Sequence, residues 1–95
     1  MRRGSRCAGA HTVTYVRDGD ETPAARFGFI VSKQVGGAVV RNTVRRRLKA
    51  VCAEALPLVR PGTDIVIRAL PSSASADFSL LRDDVLRCLR RKAAA

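Results

Sequence analysis

Tryptophan is absent from this 95-residue sequence, tyrosine occurs once and phenylalanine three times. The core must therefore be built mainly from aliphatic side chains, and stacking on a ligand ring falls to very few residues. Cysteines number three, at positions 7, 52 and 88, with long spacings and no CxxC pair or Cys/His cluster. That pattern supports neither a zinc site nor a disulfide framework, and the expectation is three free, reduced, partly buried thiols. The single histidine, His11, has no metal-ligand partners and reads as a strand-edge side chain rather than a catalytic base. Carboxylates are few and scattered, with no pair suited to hydrolysis. No apolar run approaches the ~18 residues of a membrane span, and the first residues lack the apolar core of a secretory signal. The expectation is a cytoplasmic protein with no membrane partner, no small-molecule substrate, no metal and no catalytic side chain.

What is abundant is positive charge. Lys and Arg total 18 against eight Asp and Glu, a formal net charge of +10. Fifteen of the 18 cations are Arg. Arginine presents a planar fork that grips phosphate and stacks on bases. Such an excess exceeds what solubility requires and points to nucleic acid ahead of an anionic membrane surface. The length accommodates one domain.

Along the chain, residues 1–10 are basic and Gly-containing and read as a loop or short edge strand. Residues 11–17, HTVTYVR, alternate, with Val13 and Tyr15 on one face and Thr12, Thr14 and Val16 on the other. Residues 18–23, DGDETP, form an acidic turn expected to lie away from nucleic acid. The nearly continuous apolar run RFGFIVS, residues 26–32, suggests a central strand covered on both faces. A helix is predicted over residues 39–56, with Val40, Val44, Leu48, Val51 and Ala55 on one face. Pro57 ends it. DIVIRAL, residues 64–70, reads as a further buried strand. A loop follows, with Ser75 as N-cap, and then a helix over 76–92 with an apolar stripe of Phe78, Leu81, Val85, Cys88 and Leu89. The result is an α+β chain, a small sandwich with helices packed on a sheet.

The two helices carry their cations differently. The later one has Asp77 at its start and Arg90, Arg91 and Lys92 at its end, both suited to the helix dipole, and ordinary capping explains them. The earlier one gathers Arg41, Asn42, Arg45, Arg46 and Lys49 on an arc of about 140° at about 100° per residue. Its basic residues fall mainly in its first half, Arg47 lies across the apolar stripe, and Glu54 is its only acid. Like charges one turn apart each cost a few tenths of a kcal/mol, so this face is read as a phosphate-binding surface. Gly36 and Gly37 precede it. Glycine there suits a turn needing positive φ, and backbone N–H groups at a helix start can also hold phosphate. The spacing fits neither GxGxxG nor a P-loop. Tyr15 could stack on a base or fill the core.

The stretch SKQVGGAVVRNTVRRRLK, residues 32–49, resembles the signature of the bacterial ribonuclease P protein subunit: a Gly-rich lead-in, Ala-Val-x-Arg-Asn, then a basic helix. The flanking GFIVSK-like and PGTDIVIRA-like strands and the final helix extend the resemblance over nearly the whole chain. It implies a four-stranded sheet in β-β-β-α-β-α order, like the second domain of ribosomal protein S5, with a left-handed β-α-β crossover, a rare exception to the usual hand. It implies binding to a catalytic RNA through Arg41, Asn42, Arg45, Arg46 and Lys49. It also implies a sheet-face cleft for the single-stranded 5′ leader of precursor tRNA, with Tyr15, Ser32 and Lys33 at matching positions. The RNA would supply the catalytic centre, using Mg²⁺, with no cofactor held by the protein. Thr43 departs from the family's usual Arg-Asn-Arg, which implies that one phosphate contact is lost or is taken over by Arg45. Family members usually begin with an extra basic helix that walls the cleft, and residues 1–10 align just after it, so that helix is expected to be absent. A generic basic RNA-binding or ribosomal protein has the same charge and size, but no reason to carry the Gly-Gly-Ala-Val-x-Arg-Asn sequence.

Overall fold

The computed structural model describes residues 4–19 and 24–94. The elements run β1 (Gly4–Ala8), β2 (Thr12–Asp18), β3 (Arg26–Ile30), α1 (Ala38–Ala55), β4 (Thr63–Ala69) and α2 (Phe78–Lys92). This is the expected α+β order, with β1 formed where a short edge strand was one reading. Residues 1–3 and most of the acidic turn, residues 20–23, lie outside the described residues. Asp18, where that turn begins, pairs with Arg60 at 2.6 Å.

The four strands make one sheet in the order β1-β2-β4-β3. β1 and β4 pair antiparallel with β2, and β3 pairs parallel with β4. The parallel pair is therefore joined through α1. β3 is an edge strand, which corrects the expectation of a central one. The alternation inside RFGFI explains why: Phe27 and Phe29 pack against the core, whereas the ladder sets Arg26, Gly28 and Ile30 beside Asp64, Val66 and Arg68 on the other face. Ile30 lies within the apolar run yet is exposed. The interior position belongs to β4, whose residues Ile65, Ile67 and Ala69 are all buried.

Both helices cover the same sheet face. Val44, Leu48, Val51, Cys52 and Ala55 of α1 join Val85, Leu86 and Leu89 of α2 over Val16, Ile65 and Ile67. Each fully buried aliphatic side chain contributes roughly 1.5–3 kcal/mol relative to exposure, so aliphatic packing replaces the missing aromatics. Val40 and Phe78, expected in the apolar stripes, are exposed instead. The strand faces of β2 fall as the alternation predicts, and Thr12 and Thr14 are fully buried against the helices.

The start of α2 also differs from expectation. Pro71–Ala74 is a 3₁₀ turn, closed by the Ser75 N–H donating to the Ser72 carbonyl. Ser75 is thereby held outside the helix, and Asp77 occupies the N-cap without a side-chain capping bond.

Two long-range ties fix α2 to the sheet. The carboxylate of Asp84, buried on α2, accepts the His11 N–H at 2.7 Å and the Ala10 N–H at 3.4 Å. These amides lie in the β1–β2 turn, and a Cβ at Gly9 would stand 2.6 Å from the carboxylate carbon, so a side chain there would displace Asp84. The second tie overturns the reading of three free thiols. Cys7 of β1 and Cys88 of α2 form a disulfide with Cα atoms 5.5 Å apart. A separation of 81 residues hides such a pair from any spacing rule, since only the docking of α2 beneath β1 brings them together. Cys52 is free and buried, and burial pushes its thiol pKa up to about 12.

On the outer side, Arg82 of α2 hydrogen-bonds Glu54 of α1 through two nitrogens. That bond holds the Glu54 carboxyl below its ordinary pKa. Its stabilising share is present above the ordinary glutamate pKa and is lost as pH falls through the lowered value.

Candidate nucleic-acid interface

α1 begins without a capping side chain. Its N-cap is Gly37, and its first intrahelical bond runs from the Arg41 N–H to the Gly37 carbonyl at 2.9 Å. The two glycines have different roles. Gly36 takes φ 157°, and a Cβ there would meet Val40 Cγ1 at 2.9 Å. Gly37 has φ −70°, and a Cβ would meet nothing within 4 Å. The turn requires glycine only at 36, and the backbone at 37 faces open space. The first turn of α1 carries no acid and its last turn no base. In α2 the last turn holds Arg90, Arg91 and Lys92.

Of the five residues expected to bind RNA on α1, Asn42, Arg45, Arg46 and Lys49 surround one open groove of about 460 Å³, with Val39 and Thr43. Among the described residues none of the three groove cations forms an ion pair. Arg41 stands apart at the buried edge of the helix, with its Nε buried and unbonded. Arg47 is structural: it donates to the Ala76 carbonyl at 3.3 Å, pinning the approach to α2.

Thr43 stands where the family's usual pattern has a further basic residue, and the structure gives it a task of its own. Its hydroxyl donates to the Val39 carbonyl at 3.0 Å and accepts from Arg46 Nη2 at 3.4 Å. That interaction orients the Arg46 guanidinium along the groove. A threonine one turn before an arginine is the available signal.

The uncovered sheet face forms a second surface. Cross-strand partners share a face, so the ladders set Arg6, Tyr15, Val66 and Gly28 in one row and Gly4, Arg17, Asp64 and Arg26 in the next. An open concavity of about 690 Å³ lies over them. Tyr15 lines it, is 36% exposed, and is therefore not a core residue. Val66 of β4 stands between Tyr15 and Gly28 in that row. Arg26 is held by Asp64 at 2.9 Å. Ser32 and Lys33 lie in the turn after β3 and do not line this concavity. Their carbonyls accept the Val35 and Gly36 N–H groups. Tyr15 is thus not brought together with Ser32 and Lys33, whereas Arg6 and Arg17, not singled out in the sequence, stand with it.

Among the described residues no group of three or more His, Cys, Asp or Glu side chains is placed to hold a metal ion. No described helix is long and apolar enough to cross a membrane.

The chain thus presents a basic groove on α1 and an open sheet face that carries Tyr15. A family model described as Ribonuclease P matches residues 1–93. The chain belongs to the ribonuclease P protein family. It is 44% identical over 92 residues to the ribonuclease P protein component of Acidothermus cellulolyticus, spanning 96% of this chain and 77% of that protein. To the ribonuclease P protein component of Beutenbergia cavernae it is 51% identical over 85 residues, spanning 90% of this chain and 71% of that protein. Among solved structures, the RNase P protein from Thermotoga maritima matches with a TM-score of 0.82 at 23% identity, over 93% of this chain and 83% of that one. The Staphylococcus aureus RNase P protein matches with the same TM-score and identity, over 93% and 80%. Those two likenesses concern the fold. Of the Arg41-Asn42 motif in this chain, Asn42 lines the α1 groove and Arg41 does not.

Proposed function

We propose that this chain is the RNA-binding protein subunit of a ribonuclease P holoenzyme, and that α1 and the open sheet face divide the work. The α1 groove binds the catalytic RNA through Asn42, Arg45, Arg46 and Lys49. Arg41 adds charge at the helix start, and the free backbone N–H groups after Gly37 face the same polyanion. The observation that carries this reading is the clustering of those cations round one groove without a neutralising acid among the described residues.

The open sheet face receives the 5′ leader of precursor tRNA. Tyr15 offers a ring to a base, and Arg6 and Arg17, which line the same concavity, offer charge to the phosphates of a stacked strand. Ser32 and Lys33, in the exposed turn between this face and α1, would meet the strand further along. Cleavage belongs to the RNA, where Mg²⁺ would activate water and stabilise the leaving oxygen. The protein's part in this reading is binding and positioning. Cytoplasmic location follows from that partner.

The test is reconstitution. The protein is mixed with bacterial ribonuclease P RNA and a precursor tRNA at low Mg²⁺, and 5′ maturation is followed. Stimulated processing is expected. Tyr15→Ala should raise KM for a substrate with a long leader by about tenfold, the loss of one base stack of 1–3 kcal/mol, and should leave a substrate with no leader beyond the first nucleotide unaffected. Absence of stimulation by the wild-type chain would remove the reading.

A further inference from the structure

The disulfide lies directly behind the surface assigned to the leader. β1 is a five-residue edge strand with β2 as its one sheet partner. Its inner residue Cys7 is bonded to Cys88 of α2, while Gly4 and Arg6 line the open concavity with Tyr15. An edge strand held by one ladder is the kind of element that opens locally. The covalent tie to α2 opposes that opening, alongside the β1–β2 ladder and the Asp84 bonds to the turn that follows β1.

We propose that the Cys7–Cys88 pair is a redox latch on the RNA-binding sheet face: the disulfide holds β1 in place, and reduction lets the strand leave the edge and dismantles one wall of the concavity. This rests on the reading of that face as a site for single-stranded RNA. The oxidant is a low-molecular-weight disulfide, RSSR. The Cys7 thiolate attacks one of its sulfurs and expels RS⁻, leaving a mixed disulfide on Cys7. The Cys88 thiolate then attacks the Cys7 sulfur and expels the second RS⁻. The two cysteine protons end on two RSH, so one RSSR is reduced as the dithiol is oxidised. A reducing thiol drives the reverse.

The order of attack follows from position. Cys88 is fully buried and Cys7 retains 6% exposure on a strand that can open. Exchange therefore begins at Cys7 and requires β1 to lift. The latch is consequently slow to set and slow to release, and it stores a redox state rather than tracking it. Cys52 is buried among the core residues of α1 and takes no part.

The full chain is prepared oxidised with glutathione disulfide and reduced with a phosphine. Three readouts are taken: the linked Cys7–Cys88 peptide, amide exchange over β1, and affinity for an unstructured single-stranded RNA and for ribonuclease P RNA. The linked peptide should appear only after oxidation. Reduction should speed exchange in β1 and not in α1. It should weaken single-stranded RNA binding by about three- to tenfold, as expected if the docked strand falls to roughly a tenth to a third of molecules, with catalytic-RNA binding nearly unchanged. Cys7→Ser should show the reduced behaviour under both conditions, and Cys52→Ala should respond like the parent. Failure to form the linked peptide, or equal β1 exchange in both states, overturns the latch. Faster exchange with equal single-stranded RNA affinity overturns its coupling to binding. If neither state binds single-stranded RNA while exchange still differs, the reading of the face fails and the latch stands as a stability device.

Discussion

Replacing Arg45 and Arg46 together by glutamate is expected to lower affinity for ribonuclease P RNA by on the order of 100-fold at about 0.15 M salt. Removing a single phosphate-binding arginine at that salt weakens binding by about a factor of five through the counterion it no longer releases, and removing two weakens it roughly 20-fold. Two new carboxylates facing phosphate add repulsion on top. Both side chains line the α1 groove, and neither is paired with an acid among the described residues. Their removal therefore breaks no ion pair described in the fold. The substitution also relieves like-charge crowding along α1. The melting temperature should accordingly stay within roughly 3 °C of the parent. Binding measured by filter retention beside a thermal melt separates the two effects. A variant that melts normally but retains parental affinity would show that the groove is a solvated surface.

The largest expected loss of stability comes from a residue that never touches RNA. Asp84→Ala removes the acceptor for the His11 and Ala10 N–H groups, 2.7 and 3.4 Å away. A buried donor left without a partner costs about 1–3 kcal/mol, and more where the missing partner is charged; these two donors are part-buried, and they lose a carboxylate that is itself buried. For a domain of this size each kcal/mol lowers the melting temperature by roughly 4–8 °C, so a fall of about 10 °C or more is expected. The turn it holds is also tied to the third segment of that corner, since His11 Nδ1 lies 2.8 Å from Ser72 Oγ and the His11 carbonyl accepts the Leu70 N–H. Asp83, its exposed neighbour, provides the control: Asp83→Ala should shift stability by no more than about 0.5 kcal/mol. Thermal melts of the two variants check this. Equal and small shifts would mean that the β1–β2 turn does not depend on α2.

These two aspartates show where a sequence stops being readable. Side by side in Asp83-Asp84 they look alike, both diluting the charge of a basic helix. Helical rotation sends one outward and the other beneath a turn 73 residues earlier in the chain. Local periodicity is visible without a fold, which is why α1, β2 and β4 lie close to their expected bounds and why the α1 cations group by pattern alone. Tertiary partnership is not visible. RFGFI reads as a central strand when its apolar content outweighs its alternation; the return of β4 between β2 and β3 is what places it at the edge. Cys7 and Cys88 have no local signature. At the candidate interface, the α1 arc is legible except for Arg41, whose side chain turns toward the buried edge. Tyr15 is ambiguous in the sequence because alternation assigns it a face without saying which face is covered. Arg6 and Arg17 become part of the same surface only through the β1–β2 register.

The claim that matters most is that placement, rather than total charge, makes α1 the RNA-binding helix. It is tested by the salt dependence of RNA affinity for two single arginine variants. Arg46 lies in the α1 groove, and Arg91 is exposed in the last turn of α2, where the helix dipole favours it. Arg46→Ala should reduce the slope of log affinity against log salt by about 0.7–0.9, one released counterion. Arg91→Ala should leave the slope close to that of the parent. Equal reductions from the two variants would contradict the assignment and leave only a uniformly basic protein.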